Sequence, residues 1–158
     1  MPYWLMKSEP DEFSIDDLKH KGKARWDGVR NYQARNFMRE MALGDSVFFY
    51  HSSCKEVGIS GIMKIVGTHY EDPLAVDPTS DYFDEKSLKA NRWSAVDVAF
   101  DSKLSKIFPL DQIKKLAGHD QRLADFALVK KGSRLSVMPV TDAQWQCLME
   151  KIAPLVIK

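Results

Sequence analysis

The chain has only two cysteines in 158 residues, Cys54 and Cys147, too few to staple a domain of this size. No hydrophobic run approaches the ~20 apolar residues of a membrane span; residues 47–50 form one of the longest. Lys7, Glu9, Asp11 and Glu12 arrive before any stretch able to act as the apolar core of a signal peptide. We therefore expect a cytoplasmic protein, nucleoid-associated in a bacterium or nuclear in a eukaryote, with no membrane contact. Catalytic signatures are missing too. Gly22, Gly28, Gly58 and Gly61 form neither a P-loop nor a dinucleotide fingerprint, and no Gly-x-Ser-x-Gly elbow exists. His51, Cys54 and His69 are the only histidines and cysteines close in sequence, and their spacing fits no common zinc pattern. No metal, no cofactor and no enzymatic residue set are expected.

What remains is an ordinary globular composition, 44% hydrophobic and 28% charged, without repeats, linkers or low-complexity tracts. One domain over residues 1–158 follows, long enough to bury ~70% of the surface of its unfolded chain, with a monomer favoured. The net charge of +1 conceals an uneven distribution. Residues 19–39 carry seven basic side chains against one acid, Asp27, whereas residues 71–85 carry six acids and no lysine or arginine. Solvated surface is the ordinary explanation of such runs. Trp26, Asn31, Tyr32 and Phe37 interleave with the basic run, however, and basic charge mixed with aromatics favours nucleic acid.

Periodicity and capping predict an α+β fold of five or so short strands with helices between and after them. Strands are expected at 3–8, 46–51, 59–68, 94–100 and 134–138, the second and third joined as a hairpin. Ser14 predicts the cap of a helix to about residue 20, with Gly22 beyond it. Asn31 predicts the cap of a helix to about residue 42, in which Ala34, Phe37, Met38 and Met41 share one face. Pro109 starts a short helix to about residue 116, and residues 126–129 form a further short element. Thr141 caps a last helix with Trp145, Leu148, Met149 and Ile152 on its apolar side. Residues 72–91, with Pro73 and Pro78, read as a long exposed loop.

The segment 25–37 concentrates the groups that a base-binding pocket requires. Trp26 offers a π face, and stacking contributes about 1–3 kcal/mol per base. Asp27 can accept from an exocyclic amino group, as carboxylates do from cytosine N4, and Asn31 offers both a donor and an acceptor. Taken alone, Trp26 reads slightly better as a core aromatic.

Beyond these residues, Tyr3-Trp4-Leu5-Met6-Lys7-Ser8-Glu9-Pro10 and Trp26-Asp27-Gly28-Val29-Arg30-Asn31-Tyr32-Gln33-Ala34-Arg35-Asn36 closely resemble the EVE domain. So do Phe48-Phe49-Tyr50-His51-Ser52, residues 58–64 and Arg92-Trp93-Ser94-Ala95-Val96-Asp97-Val98, so that the likeness spans nearly the whole chain. The resemblance implies a PUA-like fold, a small curled sheet (a pseudobarrel) of five or six strands flanked by helices. It also implies a reader of modified bases, above all 5-methylcytosine or its oxidised forms in DNA. Lys7, Ser8 and Trp26 match pocket positions of the related YTH domains, with Glu9 where those carry Asn. Since a pocket reads a base only once it is flipped out of the stack, the expected pocket combines Trp26 with Ser8, Asp27 and Asn31. Its second aromatic wall comes from Tyr32, Tyr50 or Trp93. A collar of Lys7, Arg25, Arg30, Arg35, Lys130 and Lys131 is expected to hold the nucleic-acid backbone. The competing readings are an RNA-binding module of the tRNA type, a small-molecule or peptide binder, and an enzyme or enzyme subunit. For the enzyme, Glu9, Asp27 and His51 are the only candidate acid/base residues.

Overall fold

Two short runs, Trp4-Leu5-Met6 and Val47-Phe48-Phe49-Tyr50, are apolar without interruption, which is the signature of strands covered on both faces. In the computed structural model, which describes residues 2–157, they form β1 (Tyr3–Ser8) and β3 (Ser46–His51) in the interior of one sheet. These two strands are parallel, Tyr3 facing Ser46 and Ser8 facing His51. All other pairings are antiparallel, and the sheet order is β2-β5-β4-β3-β1-β6, with β7 added beside β5. The remaining strands are β2 (Lys23–Trp26), β4 (Gly58–Glu71), β5 (Ser94–Pro109), β6 (Val137–Val140) and β7 (Val156–Ile157).

Successive side chains of β1 and β3 enter opposite layers. Trp4, Met6, Val47 and Phe49 join one core with Ile15 and Leu18 of α1 (Ile15–Lys21) and Ala34 and Met38 of α2 (Tyr32–Glu40). Leu5, Phe48 and Tyr50 join the other with Ile113 of α3 (Leu110–His119) and Cys147, Leu148 and Ile152 of α4 (Asp142–Ile152). In this second layer Trp145 stacks on Tyr3 and Phe48, with centroids 4.3 and 3.8 Å apart. Helix α2 touches β4, β5 and the far edge strand β6, so the sheet curls around it. The expected α+β architecture with a small curled sheet is what the chain adopts.

Local chemistry sets the helix ends as expected. Ser14 with Asp17 and Thr141 with Gln144 form reciprocal capping boxes, and Asn31 accepts from the Ala34 N–H at 2.9 Å. The strands depart from expectation at the edges and ends. Seven form instead of five or six, because β2 and the two-residue β7 pair only with β5 and carry no alternation long enough to read. β5 runs on to Pro109 through polar residues that periodicity cannot assign, and β4 likewise extends to Glu71. β6 starts at Val137 and includes Pro139, which an edge strand tolerates. Nor is 72–91 a plain exposed loop: two 3-10 turns, Pro73–Val76 and Glu85–Leu88, bury Ala75 and Ser87.

Two close approaches tie α1 to the sheet. Gly61 leaves room that any side chain would fill: a Cβ there would lie 2.6 Å from both Ile15 Cδ1 and the Ser102 carbonyl oxygen. Nearby, the buried His51 ring accepts the Ile15 N–H on Nε2 at 3.1 Å, a bond that only neutral imidazole makes. Burial, aided by the Lys103 charge and opposed by Asp16, holds the His51 pKa below its ordinary value.

Gly61→Ala is expected to destabilise the fold by about 1–3 kcal/mol in urea unfolding, since a backbone carbonyl must move. His51 makes stability depend on pH in one direction. Above the unfolded pKa of about 6.5 both states are neutral and its contribution is complete. As pH falls toward the folded pKa the unfolded chain gains a proton that the folded protein resists, and stability is lost. Denaturation at about pH 7.5 and about pH 5 should give a loss on the order of 1 kcal/mol more in the wild type than in His51→Gln. Equal losses in the two proteins would contradict the assignment.

Candidate functional site

β1 and β3 run parallel, so their C-terminal ends lie together, and the chain leaves both beside the end of β2. A cleft of about 650 Å³ opens there, within the ~300–1,000 Å³ typical of small-ligand sites. Lys7 and Ser8 of β1, Ser52 and Ser53 after β3, and the continuous segment 24–31 line it. Glu9, Glu12 and Phe13 close one side, Tyr82 another, and Arg134 and Ser136 a third.

Trp26 is at once a core residue and a wall of this cleft. It is 7% exposed, packed edge-on against Phe49 (5.3 Å) and Phe13 (6.3 Å), which fix the ring. The Ser8 hydroxyl donates to the Phe13 carbonyl at 2.6 Å and so holds the 9–13 turn against the strand end. Asp27 accepts from Arg25 Nε at 2.8 Å, a contact that leaves its other oxygen without a side-chain partner among the described residues and raises the Arg25 pKa. Asn31 spends its amide oxygen on the Ala34 N–H, so its NH₂ group is what it can offer to a ligand. Gly28 takes a positive φ of 76°, and a Cβ there would meet the Tyr82 ring at 3.1 Å, so glycine fits both the turn and the contact.

One buried carboxylate anchors this wall. Asp72 Oδ2 accepts from the Gly28 N–H at 2.9 Å and from Arg30 NH1 at 2.8 Å, while Oδ1 accepts from the Leu74 N–H at 2.8 Å. Arg30 also donates to the Tyr82 carbonyl through Nε and NH2, at 3.0 and 2.7 Å. The acidic segment thereby folds back onto the basic one, and the Tyr82 hydroxyl reaches across to donate to Glu12. Burial, then this contact, pushes the Tyr82 phenol well above its ordinary pKa, so it remains a donor at neutral pH.

Five cations line the cleft, Lys7, Lys21, Arg25, Arg30 and Arg134, against three carboxylates, Glu9, Glu12 and Asp27. Arg25 and Arg30 are paired with acids, but Lys7, Lys21 and Arg134 enter no ion pair among the described residues. Lys7 sits half-buried 5.7 Å above the Tyr50 ring, and desolvation alone lowers its pKa. A half-buried ammonium with no ion pair among the described residues favours an anion at this rim.

The structure redraws the expected pocket in three places. Tyr50 does not line the cleft: β3 alternation sends it into the opposite core layer, where burial pushes its phenol up to about 12. Trp93 and Tyr32 also lie outside the cleft, stacked on each other at 4.8 Å, with the Trp93 indole N–H donating to Asp84 at 2.8 Å. Asp84 in turn is held at about 2 by its hydrogen bonds from Arg92 and Trp93. Of the expected collar, Lys7, Arg25 and Arg30 line the cleft; Arg35, Lys130 and Lys131 do not. Lys130 and Lys131 are exposed in the segment before Arg134, the cation that does reach it. Phe13, Glu12, Lys21, Tyr82 and Arg134 were not foreseen. The Tyr82-Phe83 pair is the one usable signal, since adjacent aromatics are unusual in a solvated acidic loop.

Comparison with known proteins places this geometry in context. A family model described as "EVE domain" matches residues 2–151. Human thymocyte nuclear protein 1 is 41% identical over 93% of this chain and 72% of its own length. A crystal structure of a Pseudomonas syringae protein superimposes with a TM-score of 0.89 at 57% identity, covering 94% of this chain and 98% of the other. The crystal structure of human THYN1 in complex with 5-methylcytosine containing DNA gives a TM-score of 0.91 at 38% identity, covering 96% and 97% of the two chains. With a family match over nearly its whole length and relatives at this identity, the chain belongs to the EVE domain family.

Proposed function

We propose that this protein is a non-catalytic reader of modified DNA that takes one flipped base, 5-methylcytosine or an oxidised form, into the Trp26 cleft. The observation that carries the reading is the cleft itself: a fixed indole wall with unpaired cations at the rim. It occurs in a fold closely shared with a human relative solved with 5-methylcytosine containing DNA. Stacking on Trp26 or Phe13 supplies the sequence-tolerant share of the affinity, about 1–3 kcal/mol. The free Asp27 oxygen suits the exocyclic amine of cytosine, and Val29 and Ala24 offer apolar surface to a methyl group. Lys7, Lys21 and Arg134 suit the phosphates on either side.

Magnitudes limit what the methyl group contributes. Burying one methyl-sized group is worth about 0.8 kcal/mol, or roughly fourfold in affinity. A preference well beyond that for 5-methylcytosine over cytosine requires help from flipping or from polar readout. Of the candidate acid/base residues, His51 does not line the cleft and Asp27 is paired with Arg25, which leaves Glu9 and supports binding rather than turnover.

Matched duplexes differing in a single 5-methyl group should bind with a preference of at least roughly fourfold for the modified one. Because Trp26 is also core, Trp26→Phe is the informative variant: it should stay folded by circular dichroism and lose about fivefold or more in affinity. Asp27→Asn, at a half-exposed site, should reduce the preference for cytosine-type bases while leaving the melting temperature nearly unchanged. Equal binding of modified and plain duplexes by the wild type would sink the reading. Altered bases or cut strands, detected by mass spectrometry after incubation, would overturn its non-catalytic part.

A further inference from the structure

Outside the cleft, α2 and the start of β5 bring three guanidinium groups together. Arg35 and Arg39 lie one turn apart on α2, and Arg92 immediately precedes the Trp93 side of the Tyr32–Trp93 stack. Like charges at this spacing oppose helix formation by a few tenths of a kcal/mol, so the arrangement works against stability. Burial, with repulsion from Arg39 and Arg92, lowers the pKa of Arg35.

What holds Arg35 and Arg39 is neutral. Arg35 donates to the Asn36 side-chain oxygen (2.7 and 3.1 Å) and to the Arg92 carbonyl (3.0 Å). Arg39 donates to the Ser94 hydroxyl (3.0 Å) and to the same carbonyl (3.2 Å). Arg92 donates to the Tyr32 hydroxyl at 2.7 Å, and its one acid among the described residues is Asp84, already shared with Trp93 and Ser87. Beneath them, Tyr32 gives a platform 49% exposed, with the Arg35 guanidinium 4.8 Å from its centroid. Neutral acceptors orient Arg35 and Arg39 without cancelling their charge. Each guanidinium also keeps N–H groups unspent, since arginine carries five donors. Such prepositioned, unneutralised forks match phosphate oxygens, and little side-chain entropy remains to be lost on binding.

Arg30 connects this cluster with the cleft, lining the cleft while its guanidinium sits 5.4 Å from the Trp93 ring centroid. We infer that Arg35, Arg39 and Arg92, with the Tyr32 platform, form a second DNA contact that seats backbone phosphates flanking the nucleotide delivered to the cleft. This rests on the base-reading function proposed above, and it assigns the α2 face to the strand backbone rather than to the base.

The test is a salt titration of fluorescence anisotropy with a 5-methylcytosine duplex, comparing the wild type with Arg35→Gln/Arg39→Gln. Each lost phosphate contact makes the slope of log K against log salt shallower by about 0.9. The double variant should therefore lose roughly 1.8 in slope and about tenfold in affinity at ~0.1 M salt. Its ratio for modified over plain DNA, and its affinity for free 5-methyldeoxycytidine, should stay as in the wild type. Arg35→Lys/Arg39→Lys keeps the charge but loses the fork; it should retain most of the slope with weaker binding. An unchanged slope in a folded double variant overturns the inference, as does an equal loss on the free nucleoside. If the wild type shows no preference for modified DNA but the slope still falls, the backbone contact stands and the base reading fails. Absence of DNA binding by the wild type, or a larger slope change on matched RNA, overturns the DNA contact.

Discussion

A single buried carboxylate, that of Asp72, joins the two oppositely charged segments that border the cleft. The basic segment 19–39 supplies the cleft wall, and the acidic segment 71–85 supplies Tyr82 and the support for Trp93. Asp72 accepts from Gly28, Arg30 and Leu74 and is fully buried, so its hydrogen bonds and its charge pairing are satisfied together. Breaking such a pair by removing one partner typically costs about 3–5 kcal/mol, because the survivor is left buried and unpaired. The basic and acidic stretches of the sequence thus meet in an ion pair, Arg30 with Asp72.

The curled sheet divides its labour between two layers. One is closed by α3 and α4 and serves stability; Tyr50 and Trp145 belong there. The other is closed by α1 and α2 but remains open at the ends of β1 and β3, where the cleft forms. Trp26 stands at the boundary and answers to both demands: Phe13 and Phe49 hold its ring rigid, and rigidity lowers the entropic cost of stacking a ligand on it. Coupling the cleft wall to the core in this way makes it difficult to alter one without disturbing the other.

Much of this was legible in the sequence, and the boundary has physical reasons. Helix ends were readable because Ser14, Asn31 and Thr141 act within three residues of themselves. β1 and β3 were readable because burial on both faces leaves an unbroken apolar run. β2 and β7 were not, being short edge strands whose pairing with β5 is decided by tertiary contact. Around the cleft, Ser8, Trp26, Asp27 and Asn31 are readable as candidates because they cluster along short segments and share in the family resemblance, and all four line it. Tyr50 was misplaced although β3 alternation sets it apart from Phe49. Trp93 lies away from the cleft because its partners Tyr32 and Asp84, which come from distant segments, hold it elsewhere. Tyr82 was missed because only the Asp72 tie, 44 residues from Gly28, brings its loop to the cleft.

The parallel register of β1 with β3 has a consequence for how the site comes into being. β1 lies between β3 and β6, so the strand carrying Lys7 and Ser8 finds its second neighbour only when residues 137–140 are available. Arg134 and Ser136, which line the same cleft, belong to the segment that leads into that strand. Closing such long loops before their contacts are rewarded is slow, and it holds back completion during synthesis from the N-terminus. On the ribosome the cleft is therefore among the last features to assemble, its wall incomplete until nearly all of the domain has emerged.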